Sequence, residues 1–167
     1  MNDLQNKLIK LLSEDARYTV AQLAAMTGAS ELDVQNNVKQ LEDDGVIVKY
    51  SAIINTEALK DNKKVNALIE VKVAPQKLKG FDSYAEELYS FNEVKSLYLM
   101  SGAFDLAVFV EGNTITDIAS FVSERLSVIE GITSVQTHFI LKRYKIEGHV
   151  TKQTGEKRQI IQAWEIF

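Results

Sequence analysis

The feature that most limits the possible folds is a strand–helix–strand pattern that occurs twice between residues 65 and 146. Apolar residues at helical spacing predict a helix over Phe81–Phe91, and Thr114 with Asp117 predicts the start of a second helix that ends at Gly131. Two such units in succession predict an α+β fold containing a ferredoxin-like βαββαβ domain. Runs of β-branched and apolar residues predict its strands, over Val65–Val73, Val94–Met100, Phe104–Val110 and Ile132–Ile146, the last as one long strand or two short ones.

One face of the predicted sheet is left without helices. Strand alternation means that Leu68, Leu97 and Leu99 cannot all face the helices together with their sequence neighbours. We therefore expect an apolar patch on the open face, and a second copy of the chain is the usual cover for such a patch. The sequence therefore predicts a homodimer.

Three short helices are predicted in the first 45 residues. Four leucines share one face of residues 3–14, and Gly28 is suited to a left-handed turn between the second and third helices. Capping signatures mark the starts of the second and third helices, namely Thr19 with Gln22 and Ser30 with Asp33. The arrangement predicts a helix-turn-helix, and an ordinary small helical hairpin remains the alternative.

A domain division follows from these elements. Residues 46–54 are rich in β-branched side chains and predict a strand that closes the helix-turn-helix domain. We expect four segments, the helix-turn-helix domain 1–54, a polar linker 55–64, the ferredoxin-like domain 65–148 and a tail 149–167. The tail is basic and then apolar, so we expect it to pack on the same or a neighbouring subunit; its residues of interest are Lys152, Lys157, Arg158, Ile160, Ile161, Ala163, Trp164, Ile166 and Phe167.

Composition excludes several function classes. The chain has no cysteine, so it has neither disulfides nor thiolate metal sites, and we expect a cytoplasmic protein without a signal peptide or a membrane-spanning segment. His138 and His149 are the only histidines and lie far apart in sequence, so no metal site is predicted. No phosphate-binding loop, nucleophile elbow or dinucleotide fingerprint is present, so we expect no cofactor and no enzymatic activity.

Four stretches together resemble the Lrp/AsnC family of transcription regulators, over residues 2–148. The first is Leu8–Leu12 followed by Asp15-Ala16-Arg17, and the second is the helix-turn-helix from Leu23 to Glu42. The third is Gly45-Val46-Ile47 with Tyr50-Ser51-Ala52 and Asn55, and the fourth is Ser101-Gly102-Ala103-Phe104-Asp105. The resemblance implies a winged-type helix-turn-helix joined to a RAM domain (regulation of amino acid metabolism). It also implies dimers that often form tetramers or octamers, and an amino acid or related metabolite bound between RAM domains near the fourth stretch.

Candidate contacts to double-stranded DNA lie on and beside the third helix. Asparagine and glutamine side chains read adenine in the major groove, and a helix N-terminus with lysines nearby binds phosphates. The residues predicted to do this are Ser30, Leu32, Gln35, Asn36, Lys39, Gln40 and Lys49. A merely solvated helix face is the alternative.

The charge of this domain opposes tight DNA binding. The whole chain carries a net charge of −4, and residues 1–50 hold five basic and eight acidic side chains. The chain also departs from the family pattern, with Glu31 at a position where relatives usually have proline and with Asn37 and Gln40 at positions where they usually have arginine. We therefore expect weak DNA affinity per monomer and a contribution from oligomer avidity. A metabolite sensor or interaction module with weakened or lost DNA binding is the alternative function.

A second set of candidates forms the predicted effector site. In the loop Ser101–Asp105, Gly102 leaves backbone N–H groups exposed, and these can bind a carboxylate. Asp105 can bind an ammonium group, so the two together suit an amino acid. The residues expected to line the site are Leu99, Met100, Ser101, Gly102, Ala103, Phe104 and Asp105, with a second subunit on the other side. The alternative is a hairpin turn in which Asp105 bonds only to the backbone.

Overall fold

The computed structural model describes residues 1–59, 64–74 and 80–151. The chain divides into two compact units, Met1–Ile53 and Ile54–Phe167. The predicted packing of the tail beyond residue 151, and residues 60–63 of the predicted linker, lie outside the described residues. At the start of the linker, Thr56–Ala58 forms a single 3-10 turn.

The first unit contains three helices, α1 (Asp3–Glu14), α2 (Val20–Thr27) and α3 (Glu31–Asp43). The predicted capping box before α2 is confirmed, because Thr19 accepts from the N–H of Gln22 and the Gln22 side chain accepts from the N–H of Thr19. Gly28 has φ 74°, which is the left-handed turn expected there. The helices enclose a small apolar core of Leu8, Leu23, Ala24, Val34 and Leu41.

The predicted strand over residues 46–54 is wrong. Ile47 folds back, donating its N–H to the carbonyl of Leu41 and packing partly against the helical core, while Val48 is 90% exposed. A strand is stabilised by bonds to a neighbouring strand, and the described residues of the first unit contain none. β-Branched composition alone therefore did not produce a strand.

The second unit has the predicted βαββαβ order. It consists of β1 (Val65–Val73), α4 (Phe81–Tyr89), β2 (Val94–Leu99), β3 (Leu106–Gly112), α5 (Ile115–Phe121) and β4 (Ile132–Phe139). The four strands form an antiparallel sheet in the order β2-β3-β1-β4, so β2 and β4 are its edges. One π-helical turn, Val122–Leu126, follows α5, and a small hairpin of β5 (Lys145–Ile146) and β6 (His149–Val150) follows β4.

Several predicted boundaries are corrected. Strand β2 ends at Leu99 rather than Met100, and the helical residues that begin with α5 end at Leu126 rather than next to Gly131. Strand β3 begins two residues later than expected because Phe104 and Asp105 belong to the preceding loop. Helix α4 ends at Tyr89 rather than Phe91. The last predicted strand is two short strands separated by residues 140–144, one of the alternatives left open by the sequence.

The core of the second unit lies between the helices and one face of the sheet. The alternate β1 residues Ala67, Ile69, Val71 and Val73 point into it. They meet aromatic and aliphatic side chains of the helices, among them Tyr84, Leu88, Ile118, Phe121 and Leu126. Burial of this apolar face stabilises the domain and fixes which residues the opposite face presents.

The open face differs from the prediction in its composition. Leu97 packs against the core and Leu99 is on the same side of β2, so the strand alternation puts only Leu68 of the three predicted leucines on the open face. Leu68 pairs with Phe109, whose ring makes an edge-to-face contact with Tyr98 at a centroid distance of 5.9 Å. The open face therefore has an apolar patch, formed mainly by aromatic side chains.

Candidate functional site

The outward side of α3 presents two unengaged amide side chains. Gln35 and Asn36 are both exposed, and neither side-chain amide has a hydrogen-bond partner among the described residues. Leu32, in the first turn, is 65% exposed although it is apolar. Amides and a methyl-bearing side chain on one exposed helix are groups that can contact base edges in the major groove.

The start of α3 is already engaged within the chain. Ser30 accepts from the backbone N–H of Asp33 at 3.1 Å and donates its hydroxyl to the Asp33 carboxylate at 2.6 Å. The capping box predicted from Ser30 and Asp33 is thus altered. The Asp33 carboxylate accepts from the Ser30 hydroxyl and not from the Ser30 backbone N–H. Glu31 and Asp33 put two negative charges in the first turn. These charges interact favourably with the helix dipole, but they repel an incoming phosphate.

The predicted lysine contacts are not equivalent. The Lys39 ammonium lies 2.7 Å from the Asp43 carboxylate one turn later, and this partner raises the pKa of Lys39 above its usual value. A phosphate would have to compete with Asp43 for this lysine. Lys49 is exposed and has no ion pair among the described residues, so its charge is available to an external anion.

Two amide pairs connect α1 and α3, and sequence reasoning missed them. Gln5, only 5% exposed, donates to the side chain of Gln40 at 3.1 Å, and Asn2 donates to the side chain of Asn37 at 2.9 Å. Gln40, a predicted DNA contact, is therefore also part of the packing between helices. The available signal was Gln5, an amide next to the leucine face of α1.

Tyr50 holds the segment after α3 against that helix. Its hydroxyl donates to the Glu42 carboxylate at 2.9 Å. Partial burial, together with this bond to an anion, raises the pKa of Tyr50 to about 12. The contact places Lys49, its sequence neighbour, close to the C-terminal end of α3.

The predicted effector loop is largely exposed in the single chain. Of its members, only Phe104 and Asp105 are partly buried. The Asp105 carboxylate accepts from the backbone N–H of Val73 at 2.9 Å, and the Asp105 main chain bonds to Val71 and Met100. Asp105 thus joins the loop to β1. For one of its two carboxylate oxygens, this matches the alternative in which Asp105 bonds only to the backbone. Ser101, Gly102 and Ala103, the residues around the turn, are all exposed.

A cleft of about 420 Å³ lies beside the loop, between α4 and β2. Leu97, Leu99 and Leu106 line it from the sheet, and Phe81, Ala85 and Tyr89 line it from the helix. Asp82 and Lys95 are its charged members. Leu99 is the one predicted effector residue that contributes to this cleft.

In residues 1–59, 64–74 and 80–151, no three acidic or histidine side chains are grouped so as to hold a metal ion. Among the helices of the same ranges, none combines the length and the apolar character of a membrane span.

Comparison with known proteins identifies both units. The sequence profile of winged helix-turn-helix DNA-binding domains matches residues 1–48, and that of the Lrp/AsnC ligand binding domain matches residues 66–150. YugG, an HTH-type transcriptional regulator of Bacillus subtilis, is 38% identical over 161 residues, which cover 96% of this chain and 97% of YugG.

Solved structures agree with this assignment. The leucine response regulatory protein LrpA of Mycobacterium tuberculosis superposes with a TM-score of 0.74 at 25% identity, covering 87% of this chain and 96% of LrpA. A transcriptional regulator of Neisseria meningitidis, solved as a complex with L-methionine, superposes with a TM-score of 0.68 at 24% identity, covering 90% of this chain and 96% of that one. The profiles, the relative and the fold lead to one conclusion: the chain belongs to the Lrp/AsnC family of HTH-type transcription regulators.

Proposed function

We propose that this regulator reads its DNA site with the outward side of α3, and that its second unit responds to an amino acid. The observation that carries the DNA part is the pair of exposed, unengaged amides Gln35 and Asn36 on a capped helix of a helix-turn-helix. Leu32, Ser30, Lys39, Gln40 and Lys49 make the accompanying contacts. Because its relatives from bacteria and archaea are also HTH-type regulators, we propose that it acts on the chromosome in the cytoplasm.

Substitution of the two amides tests the reading role. Replacing Gln35 and Asn36 together by alanine removes the proposed base contacts and leaves the buried side of α3 unchanged. We expect the ratio of specific to non-specific affinity in fluorescence anisotropy to fall at least tenfold, since a good bidentate base contact is worth about 1–3 kcal/mol. Asn6→Ala, which removes an exposed amide from α1 of the same unit, is the matched control and should leave that ratio unchanged. Equal ratios for the double variant and the control would contradict the reading role.

The proposed effector site is the loop from Leu99 to Asp105, completed by a second copy of the chain. Its backbone amides would hold the carboxylate of an amino acid, and the second oxygen of Asp105 would hold the ammonium group. The complex of the Neisseria regulator with L-methionine supports an amino acid as the ligand class.

Thermal-shift screening of the full chain with the twenty amino acids tests the effector proposal. We expect at least one to raise the melting temperature, and Asp105→Asn to abolish that shift. Melting curves without ligand separate this effect from the loss of the Asp105–Val73 bond. No response to any amino acid would contradict the proposal while leaving the DNA contacts unaffected.

The open face of the sheet is the proposed dimer interface. Tyr98, Phe109 and Leu68 form its apolar patch, with the His138 ring nitrogen 3.3 Å from the Glu70 carboxylate beside them. Dimers present two reading helices at once, and that avidity compensates for the acidic surface of each. The proposed domain division is 1–54 for DNA binding, 55–64 as linker, 65–148 for effector binding and assembly, and 149–167 as the tail.

A second candidate function has one observation in its favour. The acidic residues of α3 and the pairing of Lys39 with Asp43 both weaken an attraction to phosphate. A chain of this kind could retain effector binding and assembly while DNA binding is lost. Effector response without retardation of any DNA would favour that function.

A further inference from the structure

The edge of the sheet beside the cleft is unusually unprotected. Edge strands of natural proteins are commonly blunted by lysine, proline or a bulge. Strand β2 has Lys95 and a register shift between Val94 and Ser96 at its start, and neither device occurs over Leu97–Leu99. Within that stretch, Leu99 is 61% exposed and Tyr98 is also exposed. The other edge strand, β4, presents mainly polar side chains to solvent.

The hydrogen-bond pattern shows which groups of this edge are free. Met100, just after β2, donates its N–H to the carbonyl of Asp105, just before β3. Because backbone groups of a strand alternate in direction, Tyr98 also directs its N–H and C=O groups towards β3. The intervening residues, Leu97 and Leu99, consequently direct their N–H and C=O groups outward. No other described strand lies on that side.

We propose that a second copy of this chain pairs with this edge, β2 against β2, about a two-fold axis at Tyr98. In that antiparallel register, Leu97 of each copy exchanges both backbone hydrogen bonds with Leu99 of the other. The two four-stranded sheets become one sheet of eight strands. This interface is made by the backbone edge of β2, which the open-face interface leaves unpaired although the Tyr98 side chain borders both. The two interfaces together build an even-numbered assembly larger than a dimer.

The side chains at the edge are self-complementary in this arrangement. Tyr98 meets its own equivalent on the open face, and such cross-strand aromatic pairs stabilise sheets. On the helix side, the leucines of one copy extend the apolar cleft of the other, where Phe81 and Tyr89 are exposed.

The charged side chains of the cleft are also complementary to those of a second copy related by the two-fold axis. Asp82 is in the first turn of α4, and Lys95 follows the end of that helix by six residues, so they lie at opposite ends of the cleft. Antiparallel pairing places the Lys95 end of one copy beside the Asp82 end of the other. No described residue makes a hydrogen bond or ion pair with the Asp82 side chain. Opposite charges meet twice in an isologous interface, which favours a second copy over an unrelated partner.

The absence of cysteine permits a direct test by cross-linking the full chain. In the proposed register, the two Tyr98 residues form a non-hydrogen-bonded pair with Cα atoms about 4.5 Å apart, within disulfide range. Tyr98→Cys should therefore give a covalent dimer in high yield on mild oxidation. Ser96→Cys, on the same strand and face, is the matched control, since its two copies would be roughly 13 Å apart along the strands. Packing of two open faces would not bridge Tyr98→Cys, because face-to-face sheets lie about 10 Å apart.

A mass measurement gives an independent readout. Leu99→Lys places two positive charges at the centre of the edge pair, so we expect the oligomeric mass in analytical ultracentrifugation to fall at least twofold. Val128→Lys, at an apolar position that is 68% exposed outside the sheet, should leave the mass unchanged. Circular dichroism melts verify that both variants are folded. Equal cross-linking of Tyr98→Cys and Ser96→Cys, or an unchanged mass for Leu99→Lys, would overturn the proposal. Because Leu99 also belongs to the proposed effector site, both measurements are made without amino acids, and neither bears on the proposed DNA contacts.

Discussion

At the residue scale, one glycine in the second unit supports the packing of a buried aromatic side chain. Gly131 has φ 93°, and a Cβ atom there would lie 2.0 Å from the hydroxyl oxygen of Tyr84. Tyr84 is among the largest fully buried side chains of the domain. The close approach of ring and backbone therefore requires a residue without a side chain.

We expect Gly131→Ala to destabilise the second unit by roughly 1–3 kcal/mol, the range for overpacking, with backbone strain adding to it. The reason is the contact with Tyr84, so Tyr84→Phe should recover part of the loss in the double variant. Gly102→Ala is the control, because nothing lies within 4 Å of its Cβ position. Thermal unfolding checks the prediction, and equal melting temperatures for the two alanine variants would contradict it.

A second residue-scale prediction concerns the lysine on α3. Asp43→Asn releases the Lys39 ammonium and removes a negative charge, so we expect severalfold tighter DNA binding at low salt. Asp44→Asn removes the same charge without releasing a lysine and should have a smaller effect. Anisotropy titrations with both variants measure the difference. Identical affinities would mean that Lys39 does not contact phosphate.

At the element scale, local signals in the sequence predicted most of the fold. The Thr19–Gln22 and Thr114–Asp117 boxes and Gly28 are short-range patterns whose bonds form within a few residues, so helix starts and the turn were predicted closely. The alternation of β1 likewise gave its bounds, Val65–Val73. What failed depends on distant partners. Residues 46–54 lack a strand to pair with, and Leu97 and Leu99 face the helix side because of the sheet register.

The candidate sites were less accessible to sequence reasoning than the fold. Family resemblance located α3 and the loop at Gly102, but not the side-chain bonds that engage Gln40, Lys39 and Asp105. Those bonds join residues up to 35 positions apart or depend on a specific rotamer. The cleft beside β2 could not be predicted from the sequence either, because its walls come from α4 and two strands that are separated along the chain.

The cap of α5 gives an element-scale prediction about pH. Bonds from Thr114 and from the N–H of Asn113 lower the pKa of Asp117 below its usual value of 3.8. A depressed carboxyl pKa means that the stabilisation is present above the ordinary pKa and is lost as the pH falls through the folded-state value.

Asp117→Asn should therefore melt at a lower temperature than the unmodified chain near pH 7, and the difference should shrink as the pH falls below the usual carboxyl pKa of 3.8. Glu124→Gln is the control, because Glu124 makes no hydrogen bond or ion pair among the described residues. Melting temperatures across this pH range give the answer. A difference that grows on acidification would contradict the assigned role of the carboxylate.

At the scale of the whole molecule, the proposed function depends on more than one copy of the chain. Each reading helix lies on an acidic unit, so one chain offers few favourable phosphate contacts. The open sheet face and the β2 edge, which meet at Tyr98, are two surfaces suited to a second copy. Effector binding between copies would link the occupancy of the loop at Gly102 to the number and spacing of reading helices, which is how a metabolite could alter DNA affinity.

The most direct test of the proposed regulation is the binding of the oligomer of this chain to DNA from upstream of its own gene, at low and at physiological salt, with its mass determined in parallel. We expect an even-numbered oligomer that binds this DNA in preference to competitor DNA, with an affinity that falls as salt rises. A well-folded oligomer that binds no DNA at low salt, with or without amino acids, would contradict it.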